Sequence, residues 1–215
     1  MWTSWQPSCR RRWRWHPTVG SVSCHAIGTR RTSCHVTLSG DGEPTLCPNF
    51  VEAVHAVIHV RALRKYPFFK IVLITNATGL DLPQVQQGLR FFTAQDEIWA
   101  KLDAGTQADM NRVNRPDCSL DKLLANILLT ARRRPVVIQS LFPLLNGQGP
   151  RAQEVEQYAQ RLKELKENGA QIALVQIYSA TRPTPHSECG HLPLKSLSRI
   201  AQAVRHATGL KTEVF

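Results

Sequence analysis

Four short, almost uninterrupted apolar runs constrain this chain of 215 residues more than any other feature. They are Lys70-Ile-Val-Leu-Ile-Thr75, Ile98-Trp-Ala-Lys-Leu-Asp103, Val136-Val-Ile-Gln-Ser-Leu141 and Ile172-Ala-Leu-Val-Gln-Ile177. A strand with one wet face alternates apolar and polar side chains. Runs of strand length without that alternation read as strands covered on both faces, the arrangement of a parallel sheet. Val36-Thr-Leu38 precedes them as a shorter strand, and Leu210 to Phe215 adds a last edge strand.

Helical segments separate the strands. Leu120, Leu123, Leu124, Ile127, Leu128 and Ala131 fall on one helical stripe, with Ser119 as N-cap and Asp121 in the first turn. Pro150 opens a second helix whose stripe is Val155, Tyr158, Ala159, Leu162 and Leu165, and Gly169 stops it. Leu194, Leu197, Ile200, Ala201 and Val204 mark a third, ended by Gly209. Another runs from Asn49 to near Lys65 with Phe50, Val54, Val57 and Ile58. The repeated β-α order predicts an α/β fold, either an open doubly wound sheet or a TIM-like barrel.

Such folds bind ligands at the carboxyl ends of their strands. Here those ends are polar: Ser39-Gly40-Asp41 after the first, Thr75-Asn76 after the second, then Lys101 and Asp103, Gln139 and Ser140, and finally Gln176, Tyr178 and Ser179. Any one of these positions could be polar merely because it meets solvent. Five strands in succession point to a shared pocket. Lys101 and Asp103 stand two apart and so share one side of their strand, where they are expected to pair or to meet a ligand. Ser39-Gly-Asp-Gly-Glu-Pro44 lets the backbone turn sharply and approach a ligand closely, because its two glycines carry no Cβ. A tight turn alone would also choose Gly, Asp and Pro.

Charge is uneven. The formal net charge of +11 suggests a polyanion partner, but residues 1–34 hold six arginines and no acid, leaving +5 for the other 181. That segment also holds Trp2, Trp5, Trp13 and Trp15, with Cys9, Cys24 and Cys34, and shows neither helical nor strand periodicity. It lacks the apolar core of a secretory signal. Residues 1–34 are therefore expected to be an anomalous segment outside the native fold, such as a mis-set start or frame. A basic aromatic arm for nucleic acid is the competing reading. The six cysteines contain no C-x-x-C pair, and without a secretion signal they are expected to be reduced thiols. No run of about 18 apolar residues occurs, so no membrane span and a cytoplasmic location are expected.

Leu38-Ser-Gly-Asp-Gly-Glu-Pro-Thr-Leu46 resembles the Gly-Gly-Glu-Pro-type turn of the radical S-adenosylmethionine superfamily. Its wording, with Pro48, is similar to that of iron–sulfur oxidoreductases related to wyosine-type tRNA-modifying enzymes. Thr75-Asn76, Lys101-Leu-Asp-Ala104 and Asn114-Arg-Pro116 match later segments of the same pattern. The resemblance spans residues 35–215 and implies a partial TIM-like (βα)6 barrel that binds S-adenosylmethionine. The turn and strand ends nominate Ser39, Gly40, Asp41, Gly42, Glu43, Pro44, Thr75, Asn76, Lys101, Asp103 and Gln139 for that cofactor. The superfamily's [4Fe–4S] cluster is held by C-x3-C-x2-C after the first strand. No such triplet exists here, so the first strand and cluster loop are expected to be missing or replaced by residues 1–34, and no metal ligand is assigned.

Three functions follow as alternatives. One is a radical enzyme acting on RNA or protein. Another is an inactive, truncated relative that binds only the cofactor. The third is a polyanion- or RNA-binding protein using the basic terminus and Arg132-Arg-Arg134, although cations at a helix end also complement its dipole. Loss of a first strand would leave a sheet edge open and favour self-association.

Overall fold

The computed structural model describes residues 22–25, 33–40, 42–65, 68–114, 116–180 and 188–215. Asp41, Arg115 and Cys9 lie outside these described residues. The strands are β1 (Val22–His25), β2 (Ser33–Leu38), β3 (Phe69–Thr75), β4 (Glu97–Lys101), β5 (Val136–Leu141), β6 (Leu144–Leu145), β7 (Ile172–Tyr178), β8 (Cys189–Gly190) and β9 (Thr212–Val214). The helices are α1 (Phe50–Ala62), α2 (Pro83–Leu89), α3 (Gln107–Val113), α4 (Leu120–Ala131), α5 (Ala152–Glu167) and α6 (Leu194–Thr208), with a 3-10 turn at Pro44–Leu46. The described residues fall into two compact units, one up to Trp99 and one from Ala100.

In the first unit the strand order is β1-β2-β3-β4. β2 and β3 are parallel, with Val36 opposite Ile71 and Leu38 opposite Leu73. Ile71, Val72 and Leu73 are fully buried, as an apolar run without alternation requires. The outer side of β2, where an open edge is expected, carries β1 instead. β1 runs antiparallel to β2, with Cys24 opposite Cys34. A ladder needs only backbone donors and acceptors, so four residues without apolar alternation can still pair. Of residues 1–34, only 22–25 and 33–34 are described.

α1 buries Phe50 and Val54, and α2 meets it through Gly88, where a Cβ would stand 2.7 Å from the Phe50 ring. Asp96 then ties the unit's elements together. It is 3% exposed and accepts from both terminal nitrogens of Arg61, from Ile71 N at 2.7 Å, and from Thr93 N and Oγ1. The end of α1, the start of β3 and the loop before β4 thus share one carboxylate.

In the second unit β5, β7 and β9 are neighbours in that order and run parallel. The expected caps are present. Ser119 Oγ accepts from Lys122 N, and Gly209 ends α6 with φ 67°. Helix α5 begins at Ala152 rather than at Pro150. α2 and α3, at seven residues each, are too short to show a periodic stripe. A reciprocal pair instead starts α3: Thr106 Oγ1 accepts from Asp109 N and donates to Asp109 Oδ2. Gly105 lets the chain pass close to α5, since a Cβ there would lie 2.2 Å from Tyr158 N. Tyr158, fully buried, shares a 2.5 Å hydrogen bond with Ser140 Oγ, and burial pushes its phenol pKa upward. Among the described residues no helix is long and apolar enough to cross a membrane.

Candidate functional site

The turn after β2 is held in shape by Glu43. Its Oε1 accepts from Thr45 N at 3.1 Å, Thr45 Oγ1 at 2.6 Å and Thr75 Oγ1 at 2.5 Å, and its Oε2 accepts from Asn76 N at 2.7 Å. Glu43 is 9% exposed, and Thr45 and Thr75 are buried beside it. One carboxylate therefore caps the 3-10 turn and anchors it to the carboxyl end of β3. A carboxylate meeting four donors has little left to offer a ligand.

The loop after β3 is fixed by the same group of residues. Thr75 Oγ1 also accepts from Ala77 N at 2.9 Å, while Asn76 Oδ1 accepts from Thr78 N and Thr78 Oγ1. These bonds hold Ala77 at φ 65°, a conformation that non-glycine residues rarely adopt. Gly79 completes the packing: a Cβ there would come within 2.6 Å of Thr45 Oγ1. Gly40, in contrast, is exposed, and a Cβ there would touch nothing within 4 Å. The surface of the turn at Gly40 is open, while its underside is packed and hydrogen-bonded. Ser39, Gly42 and Pro44 flank that surface, each half-buried. Asp41 falls outside the described residues.

The second unit gathers Lys101, Asp103, Gln139, Gln176 and Tyr178. Lys101 Nζ lies 3.4 Å from Asp103 Oδ2 and donates to Tyr178 Oη at 3.1 Å. Asp103 has a fully buried side chain. Its Oδ1 accepts from Leu141 N and its Oδ2 from Asn114 Nδ2, both at 2.7 Å. Burial opposes charge on Lys101, but the Asp103 carboxylate and Tyr178 more than offset it, and the ammonium is held above its ordinary pKa. The Tyr178 phenol is also pushed up, by burial first and then by Asp103. Gln139 Nε2 donates to Gln176 Oε1 at 2.9 Å. This cluster is a charged pair with its polar neighbours already engaged.

The structure thus brings Glu43, Thr75 and Asn76 into direct contact in one unit, and Lys101 and Asp103 in the other. Sequence reasoning passed over Thr45 as a carboxylate partner and Arg61–Asp96 as a tie. A carboxylate just before a β-strand with a Thr three residues ahead, as in Thr93 and Asp96, is the available signal for the second.

Among the residues whose side chains the structure describes, no group of three His, Cys, Asp or Glu is placed to hold a metal. Cys47, Cys118 and Cys189 are free thiols, and burial pushes that of Cys118 up. The open surface at Gly40 leaves room for a ligand against the turn's backbone.

No known family profile matches the chain. It is 34% identical over 94 residues to UPF0026 protein slr1464 of Synechocystis sp., a match covering 43% of this chain and 32% of that protein. Among solved structures, a radical SAM methyltransferase from Sphaerobacter thermophilus matches 86% of this chain with a TM-score of 0.56 and 21% identity. SuiB from Streptococcus suis, bound to S-adenosylmethionine, matches 81% with a TM-score of 0.59 and 13% identity. The chain has the α/β fold of part of these radical SAM proteins. It spans about half of the first (51%), 38% of SuiB and about a third of the Synechocystis protein.

Proposed function

We propose that this chain is a radical SAM superfamily protein of the iron–sulfur oxidoreductase-like type, and that the function of its described residues is to bind S-adenosylmethionine. The observation that carries this reading is the turn after β2, packed beneath by Glu43 and open above at Gly40. Its wording supports the superfamily and subgroup. The shared fold with a structure bound to S-adenosylmethionine supports the ligand. Because Glu43 is committed to Thr45, Thr75 and Asn76, the ligand's cationic amino group would be met by backbone carbonyls of the turn rather than by that carboxylate. When present, a [4Fe–4S] cluster supplies radical cleavage in that superfamily. Among the residues whose side chains are described no ligand set for it is found, and the function proposed here is binding of S-adenosylmethionine.

Titration of the full chain with S-adenosylmethionine tests this. Saturable binding is expected from the native protein. Gly40→Val should fold normally, because its Cβ meets open space. It should bind at least about tenfold more weakly, a loss of 1.4 kcal/mol or more. Equal binding by Gly40→Val would refute the site, and absence of binding by the native chain would refute the function.

A further inference from the structure

Helix α1 is apolar nearly all round, with Val51, Val57, Ile58 and Val60 half-buried rather than enclosed. A surface helix ordinarily keeps its apolar residues on the one stripe that faces the core. Along and beyond α1 three large apolar side chains meet solvent: Leu63 is 47% exposed, Phe68 59% and Phe91 43%. Two contacts place the rings against the helix. The Phe91 ring meets His55 edge-on at 4.3 Å between centroids, and the Arg61 guanidinium lies 5.7 Å over Phe68. His55 and Arg61 are six residues apart, which sets the two contacts about 9 Å apart along α1.

Charge on this side has one sign. Residues 53–95 hold five Lys or Arg and a single acid, Asp81, which precedes α2. The next acid, Asp96, is buried and bonded to Arg61. Arg64 and Lys65 follow Leu63, and Arg90 precedes Phe91. All three are exposed, and none has an ion-pair partner among the described residues. Exposed apolar side chains rimmed by charge mark an interaction surface, and a second copy of the same basic patch would repel it. These side chains stand at the ends of elements, after α1, before β3 and after α2. There the apolar tips can enter a deformable phase while the cations stay at the level of its headgroups.

We infer that this side of the first unit is a reversible docking surface for an anionic lipid bilayer. Leu63, Phe68 and Phe91 enter the interface, and Arg64, Lys65 and Arg90 meet lipid phosphates. Each contribution is small, so attachment needs the apolar and the basic groups together. It does not depend on cofactor binding.

The test is flotation of the full chain with vesicles of phosphatidylcholine alone, or of equal parts phosphatidylcholine and phosphatidylglycerol. The native chain is expected to float with the anionic vesicles and not with the neutral ones. The double variants Phe68→Ser, Phe91→Ser and Arg64→Glu, Arg90→Glu alter exposed side chains and should keep the native circular dichroism. Each should bind at least about fivefold more weakly. Residues 1–34 are also basic, so the contact is located by amide hydrogen exchange of the native chain on the vesicles. Exchange should slow in residues 60–65 and 89–92. No binding to anionic vesicles, equal binding by both variants, or slowing confined to other segments would each overturn the inference. So would slowing of these segments by polyglutamate or single-stranded RNA without any by vesicles, which would assign the surface to an acidic protein or a nucleic acid.

Discussion

Glu43 brings a negative charge into a nearly closed site and finds four donors there, two of them backbone N–H groups. Removing the carboxylate would leave those donors buried with no acceptor. Glu43→Ala should therefore lower the unfolding free energy by about 3 kcal/mol, with Glu43→Gln costing less, as read from denaturant midpoints. The sequence showed a Glu in a turn but not which way its carboxylate faces. Both readings, ligand-facing and inward, are consistent with Gly-Asp-Gly-Glu-Pro. Only the proximity of Thr75 and Asn76, 32 and 33 residues away, separates them.

Asp96 makes the second residue-scale prediction. Burial raises its pKa, but the hydrogen bonds from Arg61, Ile71 N and Thr93 outweigh it, and the folded value lies below the ordinary one. A group whose folded pKa is depressed stabilises the fold fully above its unfolded value, about 3.9, and loses that contribution as pH falls through the folded value. Asp96→Asn should be less stable than the native chain at pH 7. The gap should close below pH ~4, measured by denaturant unfolding across pH. A gap that widened in acid would contradict this account.

At the scale of elements, glycines separate positions that the fold needs from positions it leaves open. A Cβ at Gly105 would meet the backbone of Gln157 and Tyr158 within 2.6 Å, and backbone in a helix cannot give way as a side-chain tip can. Gly105→Ala should cost about 3 kcal/mol, while Gly40→Ala should stay within about 0.5 kcal/mol, by thermal or denaturant unfolding. Strands β3, β5 and β7 were legible because buried runs such as Ile71–Leu73 carry no alternation to mislead. β1 was not legible: Val-Ser-Cys-His has no apolar pattern, and its place depends on a partner further along the chain. β6 and β8 are two residues each, too short for any periodicity. α3 was hidden for the same reason, although Thr106 and Asp109 mark its start.

For the whole molecule, the β-α order and the shared fold agree on an α/β architecture, with parallel strand pairing inside each unit and polar groups at the carboxyl ends of the strands. The sequence placed those groups at strand ends but could not tell which bind and which only brace. Lys101 and Asp103 are paired with each other and with Tyr178 and Asn114. Gln139 is bonded to Gln176. Among the described nominated residues, Gly40 is exposed, and a Cβ there would meet nothing within 4 Å. The central claim is that S-adenosylmethionine binds on that surface. Amide hydrogen exchange of the full chain, with and without saturating S-adenosylmethionine, tests it most directly. The account predicts slowed exchange in residues 38–47 and 75–79, where the turn and the loop after β3 share Glu43. Slowed exchange confined to other segments, or no change anywhere, would contradict it.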